Sequence, residues 1–265
     1  MLTYAPQKSY SSYGQLIIRV KDREAVAVVM QKVRDYSQNT PLSAQLKIKP
    51  MEIGPSTDAK IEARFTGPDP VILRKLAAEA EKLMAQDDGA FNIRNDWRAR
   101  TKMIRPQFNE QKARRLGITK FDLDQVLLTS LSGKQVGVYR DGTQLLPIIA
   151  RSPASERLNV DSVHDLQIYS PVLRVFVPVT QVVDEFIVEW EDSLIMRRDR
   201  KRTITVMADH DVLGDETPAK LFARVRAEVE AIDLPRGYEM QWGGEFESSS
   251  KAKKAIFGSL PLGYL

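Results

Sequence analysis

The chain has 265 residues, of which 43% are hydrophobic and 28% charged, and its net charge is +4. This composition is typical of a globular protein long enough for two domains, and so small a basic excess does not by itself indicate nucleic-acid binding. The lack of cysteine excludes a disulfide framework and a cysteine-based zinc site.

Strand and helix patterns alternate through the first half of the chain. GQLIIRV (14–20) predicts a strand, Asp22 is predicted to cap a helix that follows it, and AQLKIKPME predicts a second strand. AKIEARF alternates apolar and polar residues as a half-buried strand does, and VILRKLAAEAEKLMAQ has the spacing of an amphipathic helix. AFNIRNDW and TKMIRPQF predict two more strands, and two helices that end at Gly117 and Gly133 follow them.

From Gly133 to about residue 190 the pattern changes to short strands separated by prolines. The strongest turn signal is Asp141-Gly142, which predicts a hairpin within QVGVYRDGTQLLPIIAR. The earlier pattern then resumes as a strand (RTITVMAD), a helix with Pro218 in its first turn, and a strand (YEMQWGG). The sequence therefore predicts an α+β protein, a ferredoxin-like α/β sandwich with an inserted β-rich subdomain.

Three motifs could suggest chemistry, and each has a structural explanation. GGEFE is similar to the signature of diguanylate cyclases, but its order differs and a helix pattern follows it. His210 lies among Asp209, Asp211 and Asp215, where capping of the next helix explains the aspartates better than metal binding does. The basic run RRDRKR (197–202) contains no aromatic residue and predicts a solvated turn rather than a nucleic-acid site. We therefore expect no catalytic residue, metal site or cofactor.

The run IRPQFNEQKARRLGITKFDLDQVLLTSLSG resembles a signature of resistance–nodulation–division (RND) efflux permeases. The matching positions are Pro106, Phe108, Lys112, Ala113, Leu116, Gly117, Ile118, Thr119, Asp122 and Leu123. LNVDSVHDLQIYS and YEMQWGGEFESSSKA also resemble segments of that family, so that the similarity extends from about Gly14 to Leu265. It is strongest to the acriflavine-resistance, drug-exporting branch and to its second periplasmic loop.

The resemblance implies a division of the chain. Residues 1–58 would be part of a first porter subdomain, and 59–132 with 200–250 would be its last cleft strand plus the second porter subdomain. Residues 133–199 would form the β-rich docking insert, and 251–265 would link to a transmembrane helix outside this sequence.

The resemblance also implies a substrate cleft between the two porter subdomains. By position, the residues expected to contact substrate are Ile61, Ala63, Phe65, Arg94, Thr205 and Met207. Arg94 corresponds to an arginine at the cleft entrance of the family, whereas Ile61 and Ala63 stand where aromatic residues are common.

The implied function is transport rather than catalysis, as the periplasmic part of a proton-driven inner-membrane pump in a Gram-negative bacterium. Its expected partners are the rest of a homotrimeric permease, an outer-membrane channel, a periplasmic adaptor and amphiphilic small molecules, with no nucleic acid. Two alternatives stay open: an RND pump for metals or lipids, and a separate periplasmic binding or adaptor module.

Overall fold

The structure, a computed structural model, describes residues 13–40, 42, 44–51, 58–157 and 160–259. The chain forms two compact units, one comprising the described residues up to Ala99 and from Asp192 onward, the other Arg100–Glu191. The second unit is thus a single insertion into the first. Among the described residues, no helix is long and apolar enough to cross a membrane.

The first unit is built on an antiparallel sheet. Its strands are β1 (Ile61–Thr66), β2 (Ala90–Asn95), β9 (Arg197–Arg198), β10 (Lys201–His210) and β11 (Glu239–Gly243). The order across the sheet is β11-β1-β10-β2, and the short β9 pairs with the beginning of β10. Helix α2 (Pro70–Met84) connects β1 to β2, and α6 (Pro218–Glu230) connects β10 to β11. Two such βαβ crossings in one antiparallel sheet are the ferredoxin-like arrangement, which confirms the predicted fold class.

Helices α2 and α6 cover one face of the sheet because that face is apolar. Both helices bury apolar residues at helical spacing against the apolar face of β1 and β10: leucine, alanine and methionine in α2, leucine and valine in α6. Asp69 and Thr217 cap the two helices through their side chains, and each helix has proline in its first turn, as predicted for Pro218.

Two further helices belong to the first unit. Helix α1 (Glu24–Asn39) follows Asp22, whose carboxylate accepts the backbone N–H of Ala25 at 2.8 Å, as predicted. Helix α7 (Gly244–Ser259) begins directly after β11. Gly244 has φ +64°, and a Cβ there would lie 2.7 Å from the carbonyl oxygen of Lys60, so the glycine permits the sharp turn from strand to helix.

Two predicted strands do not form. Residues 14–20 and the described part of AQLKIKPME (44–51) have no strand conformation, although their sequence pattern favours it. Leu16 is 91% exposed, and Ile17 and Ile18 are also exposed. A strand is stable only beside a partner that supplies the ladder hydrogen bonds, and the described residues supply none to these segments.

The second unit contains three two-stranded antiparallel sheets. These pair β3 (Thr101–Phe108) with β8 (Val183–Glu191), β4 (Lys134–Asp141) with β5 (Gln144–Ala150), and β6 (Gln167–Ser170) with β7 (Val175–Pro178). The predicted hairpin at Asp141-Gly142 is confirmed, with Gly142 at φ +57°. The helices are α3 (Glu110–Leu116), α4 (Lys120–Leu127) and the short α5 (Ala154–Arg157). Gly117 ends α3 in the left-handed conformation, and Thr119 caps α4, both as predicted.

The boundaries of this unit differ from the predicted insert, 133–199. Strand β3 pairs with β8 from Thr101↔Glu191 onward, and α3 and α4 pack into the same core as β6, β7 and β8. The insertion therefore begins about thirty residues earlier than its β-rich texture suggests, because β3 and the two helices precede the proline-rich part. The porter and docking roles assigned to these ranges stay predictions.

Candidate functional site

The six residues expected to contact substrate lie on two different faces of the sheet. Ile61, Ala63 and Phe65 point into the core beneath α2 and α6, where they are 2%, 0% and 0% exposed. Arg94, Thr205 and Met207 lie on the opposite face, where Met207 is paired in register with both Glu62 and Arg94. The expected orientation of β1 is therefore reversed: its apolar residues face the helices, because that is where burial stabilises them most.

The face opposite the helices is polar. Glu62, Arg64 and Thr66 alternate along β1, and Thr203, Thr205 and Met207 lie beside them on β10. Thr66 and Thr203 are joined by a hydrogen bond of 3.1 Å between their hydroxyls. Asp96 accepts the backbone N–H of Thr205 at 2.8 Å, and its burial raises its pKa to about 6 despite that hydrogen bond.

A cavity of about 200 Å³ opens beside this face, at the edge formed by β2 and the end of β10. Its apolar lining comes from Leu46, Ile48, Pro50, Phe91 and Val212, and its polar lining from Arg34, Ser37, Lys49, Asp58, Lys60, Asn92, Asp209 and His210. Segment 44–51 is held along β2 by side chains: Gln45 donates to the Ile93 carbonyl at 2.9 Å, and Asn92 donates to the Ile48 carbonyl at 3.3 Å. Eight of the thirteen lining residues are polar or charged, so the cavity has a mainly polar wall.

Arg94 lies at the centre of the charged network beside the cavity. It donates to the carbonyl of Asp58 at 2.9 Å and lies 3.7 Å from the carboxylate of Asp209. Asp209 also accepts the N–H of Lys60 at 3.1 Å and the amide of Asn92 at 3.2 Å. Of the six expected residues, Arg94 therefore lies next to the cavity, in contact with Asp58 and Asp209 of its lining.

Lys47 and Asp58 form a second charged pair there, with 3.1 Å between the ammonium and the carboxylate. Burial disfavours ionisation of Asp58, but the charge and hydrogen bond of Lys47 outweigh it and hold its pKa below the usual value. Burial, together with the charge of Arg94, lowers the pKa of Lys47.

Arg34 and Asp211 form a third pair, 2.9 Å apart, and the guanidinium of Arg34 also lies 4.2 Å from the centre of the Phe91 ring. The hydrogen bond from Arg34 lowers the pKa of Asp211.

The predicted capping role of the aspartates around His210 is wrong. Thr217 caps α6, while Asp209 accepts a hydrogen bond from Asn92 and Asp211 accepts one from Arg34 beside the cavity. The Asp209–His210–Asp211 run was the available signal. Its partners Arg34, Lys60 and Arg94 could not be foreseen because they are remote in sequence.

The carboxylates of the cavity are engaged by basic side chains. Among the described residues, no group of three or more His, Asp or Glu side chains is placed to hold a metal ion. The buried Nδ1 of His210 has no hydrogen-bond partner within the described part of the chain. A cation that entered the cavity would meet Asp58, Asp209 and His210, and would compete there with Arg94 and Lys47 for the carboxylates.

Comparison with known proteins identifies the family of this chain. Residues 18–264 match the model of the AcrB/AcrD/AcrF family. The chain belongs to that family, and it is therefore part of an RND permease, as its sequence signature predicts.

Two relatives are 23% and 25% identical to the chain over the aligned regions. It is 23% identical over 87% of its length to the cobalt-zinc-cadmium resistance protein CzcA of Cupriavidus metallidurans, and 25% identical over 73% to the nickel and cobalt resistance protein CnrA of that organism. It spans only 21% and 18% of those two proteins. A crystal structure of a heavy metal efflux pump superimposes with a TM-score of 0.66 at 21% identity, covering 77% of this chain and 21% of the pump.

Proposed function

We propose that the chain is a periplasmic part of an RND efflux permease that exports heavy-metal cations. The main support is that the similar proteins CzcA and CnrA are named as cobalt-zinc-cadmium and nickel-cobalt resistance proteins. The drug-exporting branch suggested by the sequence signature is thereby replaced by the metal alternative. The proposed role is transport.

The cavity beside Arg94 supports a part in substrate passage. Two carboxylates and an imidazole at its wall are groups that divalent cations accept as ligands. Their pairing with Arg94 and Lys47 would make binding there weak and reversible, which suits a passing cargo better than a resident ion. Under this proposal Thr205 and Met207, which are buried on the polar face, and the three core residues of β1 act by supporting the sheet.

The second unit is proposed to dock other components of the pump. Its hairpin β4–β5 exposes apolar side chains on both strands, including Val138, Tyr139, Leu145 and Ile148. An outer-membrane channel and a periplasmic adaptor are the proposed partners, and the assembled permease is proposed to be a proton-driven homotrimer in the inner membrane. A separate binding module is the less supported alternative, because the family match covers both units.

A resistance assay with the full-length permease tests the substrate class. In a host that lacks its own RND pumps, the permease should raise tolerance to Co²⁺, Ni²⁺, Zn²⁺ or Cd²⁺ several-fold and leave acriflavine tolerance unchanged. Asp209→Asn should reduce metal tolerance, whereas Asp215→Asn, in the exposed segment that follows β10, should not. Increased acriflavine tolerance without any gain for metals would overturn the proposal.

A further inference from the structure

The second unit encloses a cavity of its own, with a volume of about 360 Å³. One wall is the turn Leu128–Ser132 that follows α4, and the other is formed by Ser152, α5 and the 3₁₀ turn Val160–Asp165. Small-molecule sites usually enclose about 300–1,000 Å³, so the size suits a compact ligand. Neither metal export nor docking of other pump components accounts for this cavity.

The first wall is a π-helical turn. The backbone N–H of Gly133 donates to the carbonyl of Leu128, five residues earlier, at 2.7 Å. This wider turn carries Ser130 and Leu131, which both line the cavity. Single π-helical turns are rare and are found frequently at functional sites. The backbone of this wall therefore indicates a functional site independently of the cavity volume.

The second wall is held by hydrogen bonds between its own segments. The backbone N–H groups of Glu156 and Arg157 both donate to the carbonyl of Pro153, at 3.1 and 3.2 Å. The hydroxyl of Ser162 donates to the carbonyl of Glu156 at 2.5 Å and so joins the 3₁₀ turn to α5. The polar groups of this wall are therefore fixed before any ligand binds.

Arg157 is the lining residue whose chemistry points most directly to a ligand. Its Nε is buried, yet it has no hydrogen-bond partner within the described part of the chain. A buried N–H of a charged group without an acceptor is unfavourable. The planar guanidinium binds a carboxylate through two parallel hydrogen bonds, and Nε can donate one of them. A carboxylate in the cavity would thus supply the acceptor that Nε lacks.

Two carboxylates on the same wall restrict the kind of ligand. Glu156 and Asp165 line the cavity and are exposed. They would repel a simple anion such as phosphate, and Arg157 would repel a simple cation. A ligand that carries both a carboxylate and an ammonium group would meet an opposite charge at each. The lining charges therefore favour a zwitterion.

The remaining lining is apolar. Leu131, Val163 and Leu166 contribute it, and Val163 is only 3% exposed. Three aliphatic side chains beside the charged groups suit a ligand that has an apolar side chain of its own, because its burial there is favourable.

We propose that this cavity binds a small zwitterion with an apolar side chain, an apolar amino acid or dipeptide. Arg157 binds its carboxylate, Glu156 and Asp165 meet its ammonium group, and the aliphatic wall contacts its side chain. The site goes beyond the proposed function, because it exists or fails whichever substrate the pump exports.

Isothermal titration calorimetry of the 265-residue chain tests the proposal, with L-leucine and L-leucyl-L-leucine as probes. At least one of them should bind with one-to-one stoichiometry. Amidation of its carboxylate or acetylation of its ammonium group should weaken binding on the order of 10-fold or more. Inorganic phosphate should not compete. These comparisons use the wild-type chain and do not depend on any variant folding.

Arg157→Gln should weaken binding of the same probe on the order of 10- to 100-fold. It should also abolish the preference for the free carboxylate over the amide, an effect that a merely structural role of Arg157 would not produce. Arg151→Gln is the matched control: it removes the same charge from an exposed position outside the lining and should bind like wild type.

Circular dichroism and thermal melting should show both variants folded. Four results would overturn the proposal. They are no binding of either probe, equal binding of the amidated probe by the wild-type chain, displacement of the probe by phosphate, and an equal loss of affinity in Arg151→Gln.

Discussion

Asp96 is an acidic side chain that the fold holds in an unfavourable environment. Burial raises its pKa to about 6, while hydrogen bonds from Thr205 limit the shift. Because the folded-state pKa exceeds that of the unfolded chain, about 3.9, the folded protein binds this proton more tightly. Its ionisation therefore destabilises the fold increasingly as the pH rises from about 4 to about 6, and fully above that range.

Asp96→Asn should remove this penalty, because an amide keeps a hydrogen-bond acceptor for Thr205 but cannot ionise. The variant should be more stable than wild type by about 1–3 kcal/mol at pH 8, with the difference closing toward pH 4. Urea denaturation followed by tryptophan fluorescence measures it. Glu247→Gln is the control of opposite sign: its carboxylate has a lowered pKa, so its loss should cost stability at pH 8 and progressively less in acid. A uniform destabilisation of Asp96→Asn at every pH would contradict the argument.

At the scale of elements, a single side chain of α2 holds both points at which the first unit joins the insertion. Arg74 donates to the carbonyls of Arg98 at 2.5 Å and Trp97 at 3.3 Å, just before the chain leaves the unit, and to Asp192 at 2.9 Å, where it returns. The indole of Trp97 is fully buried and donates to the carbonyl of Thr203 at 2.8 Å. The two connections therefore start from fixed, neighbouring points.

Arg74→Ala should lower the free energy of unfolding by about 2–4 kcal/mol, because it removes the ion pair with the largely buried Asp192 and two hydrogen bonds to backbone carbonyls. Lys75→Ala, at the next position of the same helix but exposed, should change it by less than about 0.5 kcal/mol. Chemical denaturation of both variants provides the comparison. Similar values for the two would show that the contacts of Arg74 do not determine the stability of α2.

At the scale of the whole molecule, the second unit has the features of an independent domain. It has a core of its own, and its first and last strands pair from Thr101↔Glu191, so its ends lie side by side. A fragment of residues 100–191 should therefore fold by itself, with a strand and helix circular dichroism spectrum and a cooperative thermal transition. A fragment of residues 133–199 is the matched control, and it should not fold, since β8 loses β3 and the core loses α3 and α4. A cooperative transition in the control and none in 100–191 would contradict the observed boundaries.

Most elements could be predicted from sequence because their signals are local. Thr119, Gly117, Asp141-Gly142 and Pro218 each act within one turn of chain, and each acts as predicted. Segments 14–20 and 44–51 show the limit of such signals, because their strand pattern has no effect without a neighbouring strand. The alternation of β1 was equally plain, yet the sequence could not show which of its two faces the helices cover.

Local pattern and charge by themselves determined most of the elements, the ferredoxin-like class, the family signature and the basic turn. Those features depend on residues close together in the chain, whose periodicity and conformational preferences are visible in the sequence. Only the tertiary structure decided that Phe65 lies in the core, that Arg94 meets Asp58 and Asp209, that Glu247 joins α7 to the turn, and that the insertion begins near Arg100. Each of these depends on contacts between segments far apart in sequence, and such contacts exist only once the sheet has assembled.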